Sequence, residues 1–282
     1  MTPFTLDAPA KLNLSLRVLA RRDDGFHDID TVMVKLPLLA DRLHFTSAAA
    51  FAFSCDDPSL PDNESNLVVK AARAYEAAAG IPCNCHISLE KFIPHSAGLG
   101  GGSSDAATTL LGLERIHEGA LGPQKLAALA AELGSDVAFF LTPAAARCSG
   151  RGEKIEPIPS PPALPVLLLK PAFGIASAEA YAHWHSAGPI PGIRYAPQET
   201  RSVTLVNDLE IPVFQKYRFL AELKQWLLIR KEVAAALLSG SGSTLFAVLH
   251  PGADAQSLAA AARLELDPGI WTWSGATQGP PA

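Results

Sequence analysis

The run Pro94-His95-Ser96-Ala97-Gly98-Leu99-Gly100-Gly101-Gly102-Ser103-Ser104-Asp105-Ala106-Ala107 restricts the fold more than any other part of the chain. A strand-like segment, His86–Phe92, precedes it and is stopped by Pro94. A helix is expected after it, from about Ser104 to His117. Glycines at Gly98, Gly100, Gly101 and Gly102 remove side chains, so backbone N–H groups can converge on one anion. The helix that follows adds unpaired N-terminal N–H groups and the positive end of its dipole. Ser103 and Ser104 can add hydroxyls to phosphate oxygens or to a magnesium-bound water, and Ala106 and Ala107 allow close packing behind the loop. Strand, glycine loop and small-residue helix together favour a phosphate site. The plainer alternative is a flexible linker with Ser103 or Ser104 as an ordinary helix cap.

The common phosphate sites are excluded one by one. No lysine follows the glycines as a Walker loop requires. Serine stands where the dinucleotide fingerprint needs its third glycine, with no acidic residue in a suitable second strand. The catalytic-loop and D-F-G signatures of protein kinases are absent. A glycine loop without its own lysine must be completed by magnesium and by residues elsewhere in the chain.

Outside the loop, Lys11–Val18 alternates strictly, with Leu12, Leu14, Leu16 and Val18 on one face and Lys11, Asn13, Ser15 and Arg17 on the other. That is period 2, a half-buried strand with Lys11 and Asn13 side by side. Asp23-Asp24-Gly25 reads as a turn into a second strand near Ile29–Leu36, and a third is expected at Arg42–Thr46. Asn66–Ala79 looks helical and ends at Gly80. Pro123 suits the first turn of a helix running to Leu133. Prolines crowd Pro157–Pro165, the best place for a domain boundary. Beyond it, strands are expected at Val166–Lys170, Thr244–His250 and Ile270–Trp273, with helices at Ser177–His185, Val213–Arg230 and Asp254–Leu264. The reading is α+β in two domains, 1–160 and 161–282, with a disordered tail at Gln278–Ala282.

Net charge is −5 over 282 residues and the basic residues form no dense run, which argues against nucleic acid or an anionic membrane as the main partner. The four cysteines include one C-x-C pair and no second pair, poor spacing for zinc, so they read as structural thiols. His183-x-His185 reads as part of a surface helix. No apolar run approaches ~20 residues and no charged-then-apolar leader precedes position 30, so a cytoplasmic protein is expected. Monomer and weak homodimer both remain open.

The segment from Pro94 to Ala107 resembles the ATP-binding motif of the GHMP kinases, the family of galactokinase, homoserine kinase and mevalonate kinase. Ala8–Leu14 is similar to that family's N-terminal motif, and Leu238–Thr244 to its C-terminal glycine loop. Five more segments resemble members acting on a cytidyl-diphosphate substrate: Asp24–His27, Asn66–Ala72, Gly134–Phe140, Gly150–Glu153 and Asn207–Glu210. Together these eight segments span nearly the whole chain in order and spacing. The resemblance implies a two-domain GHMP kinase fold with its active site in the interdomain cleft. It also implies ATP and Mg2+ as cofactors, and transfer of a phosphoryl group to a hydroxyl of a small cytidyl-diphosphate molecule.

Residue by residue, the resemblance implies a catalytic pair, Lys11 and Asp136. Asp136 would be the base, ionised at neutral pH because a free aspartate titrates near ~3.9, and Lys11 would orient the hydroxyl. On context alone, Asp136 could equally be a helix cap. ATP would meet Pro94, Ser96, Ala97, Gly98, Leu99, Gly100, Gly101, Gly102, Ser103, Ser104 and Asn66. The acceptor would meet Asn13, Phe26, His27, Tyr181, Ser239, Gly240 and Thr244, with Phe26 and Tyr181 on the two sides of the base and His27 hydrogen-bonding it. Phe26 stands where relatives often carry tyrosine, which keeps the π face and loses a hydroxyl. The alternatives are a GHMP kinase of the mevalonate or homoserine type, or an inactive ATP or sugar sensor on the same fold.

Overall fold

The alternation at Lys11–Val18 sits inside β1 (Phe4–Arg21), which pairs antiparallel with β2 (His27–Ser47) through the Asp23–Gly25 turn. The computed structural model describes residues 1–200 and 203–280. The two strands expected at Ile29–Leu36 and Arg42–Thr46 are one continuous β2. It absorbs Pro37, Leu38 and Leu39 as extra residues, because Pro9 pairs with Ala40 while the next residue, Ala10, pairs with Leu36. A proline cannot donate to the ladder, so it is accommodated where the pairing is already interrupted.

Around this pair grows a sheet in the order β3 (Ala52–Cys55), β4 (Cys85–Glu90), β2, β1, β9 (Thr204–Asn207), β8 (Gln198–Glu199). The hairpin β5 (Ala145–Gly150) and β6 (Lys154–Pro157) is attached along the first half of β2. Helices α1 (Leu67–Ala79), α2 (Gly101–Ile116), α3 (Gly122–Leu133) and α4 (Val137–Phe140) pack on it. Their core sets Ala106, Ala107, Leu110 and Leu113 of α2 against Leu43 and Phe45 of β2.

After the prolines a second sheet forms in the order β10 (Val233–Leu238), β11 (Leu245–Leu249), β7 (Pro165–Lys170), β12 (Trp271–Ala276). It carries α5 (Ser177–Ala182), α6 (Glu210–Lys216), α7 (Arg218–Leu228) and α8 (Ala255–Glu265). The unbroken apolar run of β7 is explained by burial on both faces: Leu167 and Leu169 join the helical core, while Val166 and Leu168 face Leu12, Leu14 and Val34 of the first sheet. The proline-rich stretch lies between the two sheets, but β9 returns from the second half to lie parallel to β1, pairing Val206 with Ser15 and Asn207 with Leu16.

Several expected elements shift. The helix anticipated at Val213–Arg230 is two, α6 and α7, separated at Tyr217. Helix α5 stops at Ala182, so His183 and His185 lie in the following turn. Part of the expected disordered tail is tied down, since Gln278 donates its N–H to the Lys35 carbonyl; Pro281 and Ala282 lie outside the described residues. No helix among the described residues is long and apolar enough to cross a membrane.

Candidate active site

Helix α2 begins at Gly101, three residues earlier than the sequence suggests, with Gly100 as its cap in the left-handed region at φ 73°. Ser103 and Ser104 therefore lie inside the first turn, and neither caps the helix. Helix geometry leaves the N–H groups of Gly101, Gly102 and Ser103 without intrahelical partners, so the glycine run presents free backbone donors at the positive end of the helix dipole, where an anion is favoured. The loop before it is fixed from two sides. Lys11 of β1 donates its N–H to the Leu99 carbonyl at 2.9 Å, and Thr244 donates to Ala97 at 3.1 Å. Ser239 Oγ donates to the Gly98 carbonyl at 2.9 Å. A Cβ on Gly98 would run into the Ser239 carbonyl, and one on Gly100 into the Phe140 ring and the stem of Lys11. These two glycines are demanded by contact as well as by φ.

Beside the loop, the Lys11–Asn13 end of the polar face of β1 is buried, while Arg17 at its other end is exposed. Lys11 and Asn13 are each 3% exposed, contrary to a solvated face. Lys11 Nζ donates to Asn13 Oδ1 at 2.6 Å and lies 3.4 Å from Asp136 Oδ2. Asn13 Nδ2 donates to Thr31 Oγ1, which donates to the Ser15 carbonyl, so the amide orientation is set by a chain of bonds. Asp136 stands at the start of α4 but its side chain makes no capping bond, which leaves the carboxylate free for the cleft. Its side chain remains 35% exposed, against 4% for the lysine.

At the other end, His27 stacks on Tyr181 with ring centroids 5.4 Å apart and meets Trp184 edge-on. Burial, with help from His185 and Arg21, holds the His27 imidazole below its ordinary pKa, and its Nε2 is buried without a partner. Phe26 is half exposed, with the Arg151 guanidinium 4.8 Å from its ring centroid. Asn66 caps α1: its Oδ1 accepts from the Val68 N–H and its Nδ2 donates to the Pro61 carbonyl, so its polar atoms already serve the local fold. Beneath the glycine loop, Lys91 bridges two buried carboxylates, Asp41 and Asp105. Burial pushes the Asp105 carboxyl upward against the pull of Lys91, and its Oδ1 has no partner.

Family models of the GHMP kinases N terminal domain and the GHMP kinases C terminal match residues 66–143 and 198–267. The 4-diphosphocytidyl-2-C-methyl-D-erythritol kinase of Deinococcus radiodurans is 38% identical, covering 94% of this chain and 90% of that protein. The same-named protein of Methylacidiphilum infernorum is also 38% identical, covering 94% and 93%. This chain belongs to the GHMP kinases. A crystal structure of a 4-(cytidine 5'-diphospho)-2C-methyl-D-erythritol kinase superposes on this GHMP kinase with a TM-score of 0.79 at 34% identity, covering 98% of this chain and all of that one. The expected family and α+β fold therefore hold.

In this GHMP kinase one cleft of about 980 Å³ gathers Lys11, Asn13, Phe26, His27, Asn66, Pro94, Ser96–Ser103, Asp136, Tyr181 and Gly240. Three of the expected contact residues lie outside its lining. Ser104, Ser239 and Thr244 are fully buried and do not line the cleft. Ser104 lies buried in the first turn with its hydroxyl unpartnered, while Ser239 and Thr244 bond the glycine loop from behind. Ser241 of the C-terminal glycine loop also lines the cleft, as do Arg21, Arg151, Ser177 and His185, which were not expected there. Arg151 stood inside a recognised Gly-Arg-Gly-Glu segment, and that was its only signal.

Proposed function

We propose that this GHMP kinase transfers the γ-phosphoryl group of ATP to the 2-hydroxyl of 4-diphosphocytidyl-2-C-methyl-D-erythritol, a step of non-mevalonate isoprenoid precursor synthesis. The observation that carries the reading is the Lys11–Asp136 pair at the edge of the glycine loop, in the same cleft as the His27–Tyr181 aromatic end. Phosphoryl transfer is mostly alignment and charge stabilisation. The first turn of α2 would hold the phosphates, and Asp136 would accept the proton as the acceptor oxygen forms its bond to the γ-phosphorus. ADP leaves as the bond from that phosphorus to its bridging oxygen breaks. Lys11, 3.4 Å from the Asp136 carboxylate, would hold it turned toward the hydroxyl. The cytosine would lie among Phe26, His27 and Tyr181, where the unpartnered His27 Nε2 offers a hydrogen bond.

Magnesium fits this arrangement as an ion carried on the phosphates. No cluster of three His, Cys, Asp or Glu side chains suited to a metal exists among the described residues. Mg2+ keeps several waters and takes only one or two protein oxygens beside substrate phosphates, and Ser103 and Asp136 are among the side-chain oxygens that line the cleft and would hold it. When bound it would neutralise phosphate charge. The test is ADP release in a coupled assay with the cytidyl substrate, mevalonate and homoserine offered separately. Turnover is expected with the cytidyl substrate alone, and Asp136→Asn is expected to lower kcat by roughly 10²–10⁴-fold. Turnover with mevalonate or homoserine only would overturn the substrate assignment. Full activity in Asp136→Asn would overturn the role of the base.

A further inference from the structure

Lys35 is the direct cross-strand partner of Lys11 in the β1–β2 ladder, so the two side chains project from the same face of the sheet. It is 8% exposed and has no carboxylate within ion-pair distance among the described residues. Its Nζ donates to the Phe140 carbonyl at 3.0 Å and to the Thr142 carbonyl, and its backbone N–H donates to Ala144. Helix α4, which starts behind Asp136, has only four residues. A helix that short has no stability of its own, and its last carbonyls need outside donors. Lys11 therefore engages the front of the Asp136–Thr142 segment and Lys35 its back. Between them the Phe140 ring lies against Gly100 and the Lys11 stem, so the segment also touches the phosphate loop.

We infer that Lys35 is a positioning residue for phosphoryl transfer, acting through the Phe140 and Thr142 carbonyls to fix where Asp136 stands relative to Lys11 and the glycine loop. The inference rests on Asp136 being the base. Burial pulls the Lys35 ammonium down to about 8, so it still carries its proton at neutral pH. A lysine kept only for stability would be replaceable by an apolar side chain with no effect on kcat per folded site.

The test compares wild type, Lys35→Met, Lys35→Gln, Asp136→Asn and Lys35→Met/Asp136→Asn. Competent sites are counted by binding of a non-hydrolysable ATP analogue. Lys35→Met is expected to lower kcat per site about 10–100-fold, with KM for the cytidyl substrate within about 2-fold of wild type. Lys35→Gln keeps one donating nitrogen where the ammonium reaches two carbonyls, so its expected loss is intermediate, about 3–10-fold. In the Asp136→Asn background, Lys35→Met should cost less than about 2-fold more. Unchanged kcat per site in Lys35→Met, or the same loss with and without Asp136, overturns the inference. Should Lys35→Met not fold, unchanged kcat in Lys35→Gln overturns it. Full activity of Asp136→Asn alone instead strikes the base assignment and is scored separately from the Lys35 series.

Discussion

A lysine on a strand is ordinarily solvated, and Lys11 departs from that because its face of β1 is covered by the glycine loop and α4. Gly240 approaches so closely that a Cβ there would lie 3.3 Å from Lys11 Nζ. Alternation in the sequence placed Lys11 beside Asn13 but could not say what covers them, since coverage is a tertiary fact. Lys35 escaped notice for the same reason: it lies within an apolar stretch of β2, and only the register reveals it as the partner of Lys11. His27 gives a residue-level prediction. Its pKa is lowered in the folded state, first by burial, so the unfolded chain takes up the proton before the folded one as pH falls. Stability is then full above the unfolded value near ~6.5 and declines as pH falls toward the folded value. Thermal unfolding of wild type and His27→Gln between pH 7.5 and 5 should show the wild type losing more Tm over that interval. Parallel curves would refute it.

Among the elements, α2 shows how a helix can begin in residues that propensity assigns to a loop. Glycine costs roughly 1 kcal/mol against alanine within a helix, which argues for a start after Gly102. The structure starts at Gly101 because Gly100 supplies a left-handed cap and Gly98 and Gly100 allow the backbone to approach Ser239, Phe140 and Lys11. Gly100→Ala is expected to raise KM for ATP at least about 10-fold while leaving the far-ultraviolet circular dichroism spectrum unchanged. Farther along, Gly112 faces the Phe45 ring so closely that a methyl group has no room. Here sterics oppose propensity, and overpacking costs about 1–3 kcal/mol where the better helix former gains about 1. Gly112→Ala should lower stability in denaturant titration; an increase would show that the Phe45 ring moves aside freely. Two strands were expected at Ile29–Leu36 and Arg42–Thr46 where one bends through a bulge at Pro37–Leu39, because whether a strand resumes after an interruption is set by the register of its partner.

At the scale of the molecule, the two sheets share a core in which Leu12 and Leu14 meet Leu168 and Phe246. The apolar runs told which strands are buried, and family motifs told which ends form the cleft. Neither told that the second half returns a strand to the first sheet, since β9 is four residues long and meets β1 from far along the chain, Val206 beside Ser15 and Asn207 beside Leu16. A shared core couples the two halves, so they are expected to unfold in one transition. Phe246→Ala should cost about 3–5 kcal/mol and lower the midpoint equally for hydrogen exchange probes in β1 and β11. Separate midpoints would refute the coupling. The return of β9 bears also on how the chain reaches its fold on the ribosome. Asp208 accepts from the Val18 N–H and pairs with Arg17, while its own N–H donates to Leu16. The outer edge of β1 therefore waits for residues made almost two hundred positions later, and the N-terminal half emerges from the ribosome with β1 paired to β2 on one side and open on the other until translation supplies β9.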